Sequence, residues 1–193
     1  MRTVLPEKRT KKLLVKQSAI KPNEKVLDFG CGSAKLTLML KVSCSEALIT
    51  GLDIDPAILR LAHINRRAAA LEVRLVEYDG GEFPFATASF DHVLSCLVFH
   101  HLSDRDKVVA FAEIFRVLKP GGTLHLADWG RPQNALMAGC YFMVRLVDGF
   151  VTTKANARGK LNSFVVSAGF ERVSDLSFLN TVMGTVRYCI AQK

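Results

Sequence analysis

Short apolar runs alternate along this chain with stretches patterned for helices, and that alternation admits few architectures. Residues 25–29, 47–52, 72–77, 90–95 and 123–127 read as short buried strands with helical stretches between them. Strand, helix, strand in succession is the pattern of βα units on a mainly parallel sheet. Two further runs, 171–178 and 185–191, lie close enough to pair as a hairpin. The expected architecture is five βα steps closed by a β-hairpin. It forms a single domain over residues 1–193, because that length supplies one substantial core rather than two.

Local signals place the helices. One is expected over about residues 7–20, inside a basic N-terminal segment (1–22), ending before the turn Lys21-Pro22-Asn23. Asp55-Pro56 opens another: the carboxylate can cap free N–H groups and proline suits the first helical position. A helix starting at Asp104 is expected to bury Val108, Phe111, Ala112 and Phe115, spaced i, i+3, i+4, i+7. A helix over 134–147 is expected to bury Leu136, Cys140, Met143 and Val147. Residues 152–160 read as a polar loop before a short helix ending at Ala168-Gly169-Phe170.

Composition narrows the function classes. The net charge is +8, but residues 1–25 carry eight Lys or Arg against two acids, leaving 18 against 16 in the rest. A basic leader on a nearly neutral body argues for a solvated helix face rather than a nucleic-acid platform. Five cysteines, Cys31, Cys44, Cys96, Cys140 and Cys189, form no CxxC pair, so no disulfide framework or zinc site is expected, and a reducing cytoplasm suits them. Charges interrupt the start of the chain where an export signal would be apolar. The longest uncharged apolar-rich run, 132–144, is too short to span a bilayer, which takes about 20 residues.

Three carboxylates and a glycine turn carry the chemistry. Val26-Leu27-Asp28-Phe29-Gly30-Cys31-Gly32 is a strand feeding a turn at a helix start, where missing Cβ atoms let backbone approach a ligand. A dinucleotide fingerprint wants a third glycine at the position of Lys35, and its pyrophosphate would be repelled by Asp28. S-adenosylmethionine has no phosphate and brings a sulfonium and an ammonium, which a carboxylate suits. Asp53 at the end of the second strand is placed to accept from ribose hydroxyls, and Asp79 at the end of the third to accept from an adenine amine. With strands in the order 3-2-1, these tips line one edge of the sheet.

At these residues the chain resembles class I S-adenosylmethionine-dependent methyltransferases, in particular the small-molecule group that includes ubiquinone and menaquinone biosynthesis enzymes. The stretches are VLDFGCGSAKLT (26–37), LDIDP (52–56), YDGGEFPFATASFDHVLS (78–95), HHL (100–102), VLKPGGTLHLADW (117–129) and AGFERV (168–173). The resemblance implies a Rossmann-like, seven-stranded, mostly parallel α/β sheet with an antiparallel C-terminal hairpin and helices on both faces. It implies that Asp28, Gly30 and Gly32 hold the methionine end, Asp53 the ribose, and Ile54, Asp79 and Gly80 the adenine, with Ser95 near the reacting methyl. Ala34 stands where the family has a third glycine, and Tyr78 where it often has a glycine before the acid.

Methyl transfer is an in-line displacement at an already activated carbon, so the protein chiefly aligns the reactants and excludes water. His100 and His101 follow the fourth strand and are the candidate general bases; no metal site is expected. Phe99, Trp129 and Tyr141 are candidate walls of an acceptor pocket. The expected function is methyl transfer from S-adenosylmethionine to a small-molecule acceptor. A non-catalytic S-adenosylmethionine-binding subunit or sensor, a nucleic-acid methyltransferase, an NAD-dependent enzyme and a thiol-assisted metalloid methyltransferase remain as alternatives.

Overall fold

The computed structural model describes residues 7–193; the first six residues of the expected basic leader, Arg2 included, lie outside it. Seven strands form one sheet: β1 (Lys25–Phe29), β2 (Leu48–Asp53), β3 (Arg74–Glu77), β4 (Phe90–Cys96), β5 (Leu118–Trp129), β6 (Glu171–Thr181) and β7 (Gly184–Gln192). Their order is β3-β2-β1-β4-β5-β7-β6. The first five pair in parallel, and β7 runs antiparallel to both β5 and β6. The fold is the Rossmann-like sheet of the expectation, with its direction change beside β1.

The helices are α1 (Glu7–Ser18), α2 (Lys35–Ser43), α3 (Pro56–Ala69), α4 (Asp104–Val117), α5 (Ala135–Asp148), α6 (Lys154–Ala157) and α7 (Leu161–Ser167), with a 3-10 turn at Phe99–His101. Side chains alternate across each strand. Leu27, Phe29, Val93 and Leu124 face a core closed by Phe111 and Ile114 of α4 and Val165 of α7. Val26, Leu94 and Ala127 face the other core, closed by Leu14 of α1, Leu36 and Leu40 of α2, and Tyr141 and Val144 of α5. Asp55 caps α3, its Oδ1 accepting from Ala57 N at 2.7 Å and Ile58 N at 3.4 Å, an arrangement worth about 1 kcal/mol.

Two helices turn a different face inward from the one their spacing predicts. On α4 the buried residues are Lys107, Ala110, Phe111, Ile114 and Val117, while Val108 is exposed. The run Val108-Val109-Ala110-Phe111-Ala112 is apolar over most of the circumference, so spacing does not choose the stripe. Lys107 decides it: its stem packs inward while Nζ donates to Leu102 O (2.7 Å) and Thr152 O (2.8 Å). On α5 the side facing the sheet is Tyr141 and Val144, and Leu136, Met143 and Val147 point to solvent. The expected polar loop 152–160 contains the helical turn α6, which buries Ala155 and Asn156, with Thr153 buried just before it. β5 begins earlier than expected, because Gly121 N donates to Lys193 O and Lys193 N to Gly122 O, keeping Lys119-Pro120-Gly121-Gly122 extended against the chain's end.

Candidate functional site

A cleft of about 430 Å³ opens at the carboxyl ends of β1, β4 and β5, where parallel strands leave a crevice. Gly30, Gly32 and Ser33 from the β1 turn, Cys96 ending β4 and Leu97 after it, His100 and His101, Trp129 ending β5, Val144 and Val147 of α5, and Glu7 and Lys11 of α1 all line it.

The glycine turn is built for a close neighbour. Gly30 (φ +70°) and Gly32 (φ +54°) both lie in the left-handed region. A Cβ on Gly30 would run into the methyl groups of Val98, whereas one on Gly32 would meet no atom within 4 Å. The space above Gly32 is therefore an open cradle. Asp53 stands beside it: Oδ2 accepts from Gly32 N at 2.6 Å and Oδ1 from Asp55 N at 3.0 Å. Ala34, in the third-glycine position of the resemblance, also has a left-handed φ of +64° and is fully buried.

Ile54, Asp79 and Gly80 lie together at the tips of β2 and β3. Ile54 is 54% exposed, a Cβ on Gly80 would reach its Cδ1 at 2.9 Å, and Asp79 Oδ1 accepts from Gly81 N at 3.0 Å. Ile54 and Gly80 thus offer a flat apolar patch beside an exposed carboxylate. Tyr78 turns away into the core, edge-on to Phe83 at 5.4 Å.

Asp28 lies beneath the turn rather than in the cleft. It is buried on the α2 side, where Thr37 Oγ1 donates to its Oδ2 at 2.6 Å. Burial raises its carboxyl to about pKa 6, against the opposing pull of the Thr37 hydroxyl and the Lys11 charge. At the mouth, Glu7 bridges Lys11 (2.8 Å) and Lys35 (3.0 Å). Burial raises the Glu7 carboxyl, but the two ammonium groups outweigh it and hold the group below its ordinary value.

The end of the cleft beside His100 centres on a residue that sequence reasoning missed. Asp128, at the end of β5, is 1% exposed and gathers five donors. Val98 N (3.1 Å), Phe99 N (2.7 Å), His100 Nδ1 (2.7 Å), Trp129 N (2.7 Å) and Asn156 Nδ2 (3.3 Å) all reach it. A carboxylate oxygen accepts, so the proton of this contact is placed on His100 Nδ1, and the ring also lines the cleft. His100 itself is 3% exposed, with the His101 ring tilted beside it at 3.9 Å and Trp129 edge-on at 6.4 Å. Leu97 sits at φ +59° between β4 and this turn, a strained conformation for a side chain of its size. The missed signal was Ala127-Asp128-Trp129: an acid closing an apolar strand, beside a residue already singled out.

The structure does not bring every candidate to the cleft. Ser95 is fully buried on the opposite face of β4, its hydroxyl donating to Phe29 O at 3.1 Å. Phe99 belongs to the core, stacked on Phe111 at 4.1 Å and 5°, because Asp128 pins its backbone and turns the ring inward. Tyr141 lies behind Trp129, 5.8 Å from it, lining a separate recess with Arg131 and Arg145. Trp129 alone of the three aromatics reaches the cleft. Cys31 and Cys96 also line it, but burial, aided at Cys31 by Asp28 and Asp53, pushes both thiols far up, away from the thiolate a metalloid chemistry needs.

A family model described as a methyltransferase domain matches residues 26–122, half of the chain. The chain belongs to that family. It is 36% identical over 112 residues to a demethylmenaquinone methyltransferase of Thermus thermophilus, covering 58% of this chain and 50% of that one. It is 29% identical over 198 residues to a 2-phytyl-1,4-naphtoquinone methyltransferase of Synechococcus elongatus, covering 91% of this chain and 83% of the relative. Its fold superposes on a SAM-dependent methyltransferase from Methanosarcina mazei with a TM-score of 0.71 at 25% identity, over 93% of this chain and 96% of that one. Against the curated relatives it matches at 32–36% identity over 112–130 residues, the chain spans about half of their length.

Proposed function

We propose that this chain is a single catalytic domain that transfers a methyl group from S-adenosylmethionine to a small, largely apolar aromatic acceptor. The observation that carries the reading is the juxtaposition, in one cleft, of an open glycine cradle beside Asp53 and of His100 held by buried Asp128.

The residues present fit the cofactor. Asp53, beside the open space above Gly32, suits a ribose diol, and Ile54 with Asp79 and Gly80 suits an adenine ring and its amine. Glu7 and Lys11 bring one negative and one positive group to the cleft, matching an ammonium and a carboxylate on one amino-acid end. When bound, the cofactor supplies a methyl carbon activated by its sulfonium, and the rest is positioning and proton handling.

His100 takes the proton from an acceptor hydroxyl or activated carbon at Nε2. Asp128 fixes the ring and stabilises the cation that forms, in the way a buried carboxylate supports a histidine base. Trp129 and Val144 provide the apolar wall against which an aromatic acceptor packs and from which water is excluded, with Val147 at the exposed rim. Two relatives matched over most of the chain carry the names 2-phytyl-1,4-naphtoquinone methyltransferase and ubiquinone/menaquinone biosynthesis C-methyltransferase, which supports an aromatic acceptor. All five cysteines stand free, which supports a cytoplasmic setting.

The test is turnover with S-adenosylmethionine bearing a labelled methyl group, against a panel of hydroxylated and quinol-type aromatics. Label appearing in an aromatic product, and lost in His100→Ala, is the expected result. Cofactor binding without transfer to any member of the panel argues instead for a sensor or a subunit.

A further inference from the structure

The outward face of α5 poses a question that the catalytic cleft does not answer. Leu136, Leu146 and Val147 are 71%, 54% and 82% exposed, and Phe142 and Met143 stand out beside them. These positions sweep an uninterrupted uncharged arc of the helix, and the chain continues it with Phe150 and Val151, also exposed. An arc this long on one surface calls for a partner.

Its surroundings say which. Val147 on this face and Met183 of the β6–β7 turn both line the cleft, so the apolar surface runs into the cleft mouth. On the other side, Arg9 of α1 shares a shallow recess with Leu136 and Cys140 of α5 and with Val182 of the hairpin turn. Arg9 belongs to an exposed basic strip, Lys8, Arg9, Lys12 and Lys16, on a helix whose sole acid, Glu7, is committed to Lys11 and Lys35. An exposed apolar helix flanked by a cationic one, on a chain of net charge +8, complements a surface that is anionic outside and apolar beneath. A second copy of the chain fits poorly, because a two-fold contact through this face would set the basic strips against each other.

We propose that α5, the β6–β7 turn and the basic face of α1 form a docking surface for anionic lipid bilayers, placing the cleft mouth at the membrane. The docking is independent of the methyl-transfer reading. Only its purpose, admission of an apolar acceptor directly from the bilayer through the gap beside Val147 and Met183, rests on that reading.

The experiment is co-sedimentation of the full chain with vesicles of phosphatidylcholine alone and of phosphatidylcholine mixed with phosphatidylglycerol, at low and at physiological salt. Binding to the anionic vesicles at least about tenfold tighter than to the neutral ones is expected, weakening as salt rises. Two variants separate the contributions: Leu136→Glu with Met143→Glu on α5, and Lys12→Glu with Lys16→Glu on α1. All four side chains are outside the cleft, so folding by circular dichroism and cofactor titration should stay unchanged while each variant loses about tenfold in vesicle affinity. Failure to bind anionic vesicles at low salt overturns the proposal. So does binding that survives the α5 substitutions, which marks plain electrostatic adsorption, or that survives the α1 charge reversals. Concentration-dependent dimerisation in sedimentation velocity, abolished by the α5 acids, also overturns it and assigns the face to a second copy. Because no acceptor or cofactor enters the vesicle assay, its failure is distinguishable from a failure of the proposed chemistry.

Discussion

The Nδ1 atom of His100, in the turn after β4, lies 2.7 Å from Oδ1 of Asp128 near the end of β5, and both residues are almost wholly buried. That pair joins fold to chemistry. The same carboxylate that orients the imidazole also receives the backbone N–H groups of Val98 and Phe99, so the turn carrying His100 is built around it. If His100 is the base, His100→Ala lowers kcat by roughly 10²- to 10³-fold while leaving cofactor affinity within a few-fold. Asp128→Asn, keeping the shape but losing the ideal acceptor, lowers kcat similarly and destabilises the fold by about 2 kcal/mol. His101→Ala, at the exposed neighbour, changes kcat by less than about threefold. Steady-state kinetics with calorimetric cofactor titration checks all three. Equal losses at both histidines would remove the distinction drawn here.

The two glycines of the β1 turn separate folding from binding. Both have positive φ, so an alanine costs roughly 1 kcal/mol of backbone strain at either. At Gly30 the new methyl collides with Val98, and Gly30→Ala is expected to lose several degrees in Tm as well as cofactor binding. At Gly32 the methyl meets no protein atom, so Gly32→Ala is expected to stay folded and still lose the cofactor. Thermal melts and titrations of the two variants side by side decide it; undiminished cofactor binding by Gly32→Ala would show that the cradle is not where the ligand sits.

Ala34 offers a third test through the same turn. Its φ of +64° is a conformation that glycine adopts without cost, and its side chain is a single buried methyl. Ala34→Gly trades that strain for a small cavity and added chain entropy, so stability should change by less than about 1 kcal/mol in either direction, where a buried alanine in an ordinary helix loses more. Chemical denaturation measures it.

Asp28 gives a pH signature. Burial raises its carboxyl to about 6 in the folded chain, above its ordinary 3.8, so the folded state holds the proton more tightly than the unfolded one. Stability attributable to this group is therefore present at low pH and lost as pH rises from about 4 through 6. Asp28→Asn, which retains an oxygen for the Thr37 hydroxyl, should gain on the parent protein across that window by on the order of 3 kcal/mol. Above pH 7 the difference should be flat. A difference independent of pH between 4 and 7 would mean that Asp28 is not held as a buried carboxyl.

Much of the fold was legible because it rests on local signals. The five parallel strands, the Asp55 cap and the C-terminal hairpin each follow from a few neighbouring residues, and the structure places them within a residue or two for most boundaries. The inward faces of α4 and α5 were not legible. Both helices are apolar over more than half their circumference, and the choice fell to long-range partners: Lys107 reaching Thr152 on α4, and Tyr141 packing on Trp129 on α5. In the site, the glycines, Asp53 and Asp79 stand out because strand ends are marked in sequence. Asp128 does not, since its five donors come from three separate stretches of chain, 98–100, 129 and 156, that only the fold brings together. Ser95 and Phe99 differ by orientation: a strand end and the turn after it lie at that edge of the sheet, but the side chains there alternate and only some face the cleft.

The central claim is that the cradle beside Asp53 holds S-adenosylmethionine. Calorimetric titration of S-adenosylmethionine and S-adenosylhomocysteine into the chain, with Asp53→Ala as the control and NAD as competitor, tests it most directly. The account predicts micromolar binding of both ligands, indifferent to NAD and abolished in a folded Asp53→Ala protein. A folded parent protein that binds neither ligand, or an Asp53→Ala variant that binds them as tightly, would contradict it.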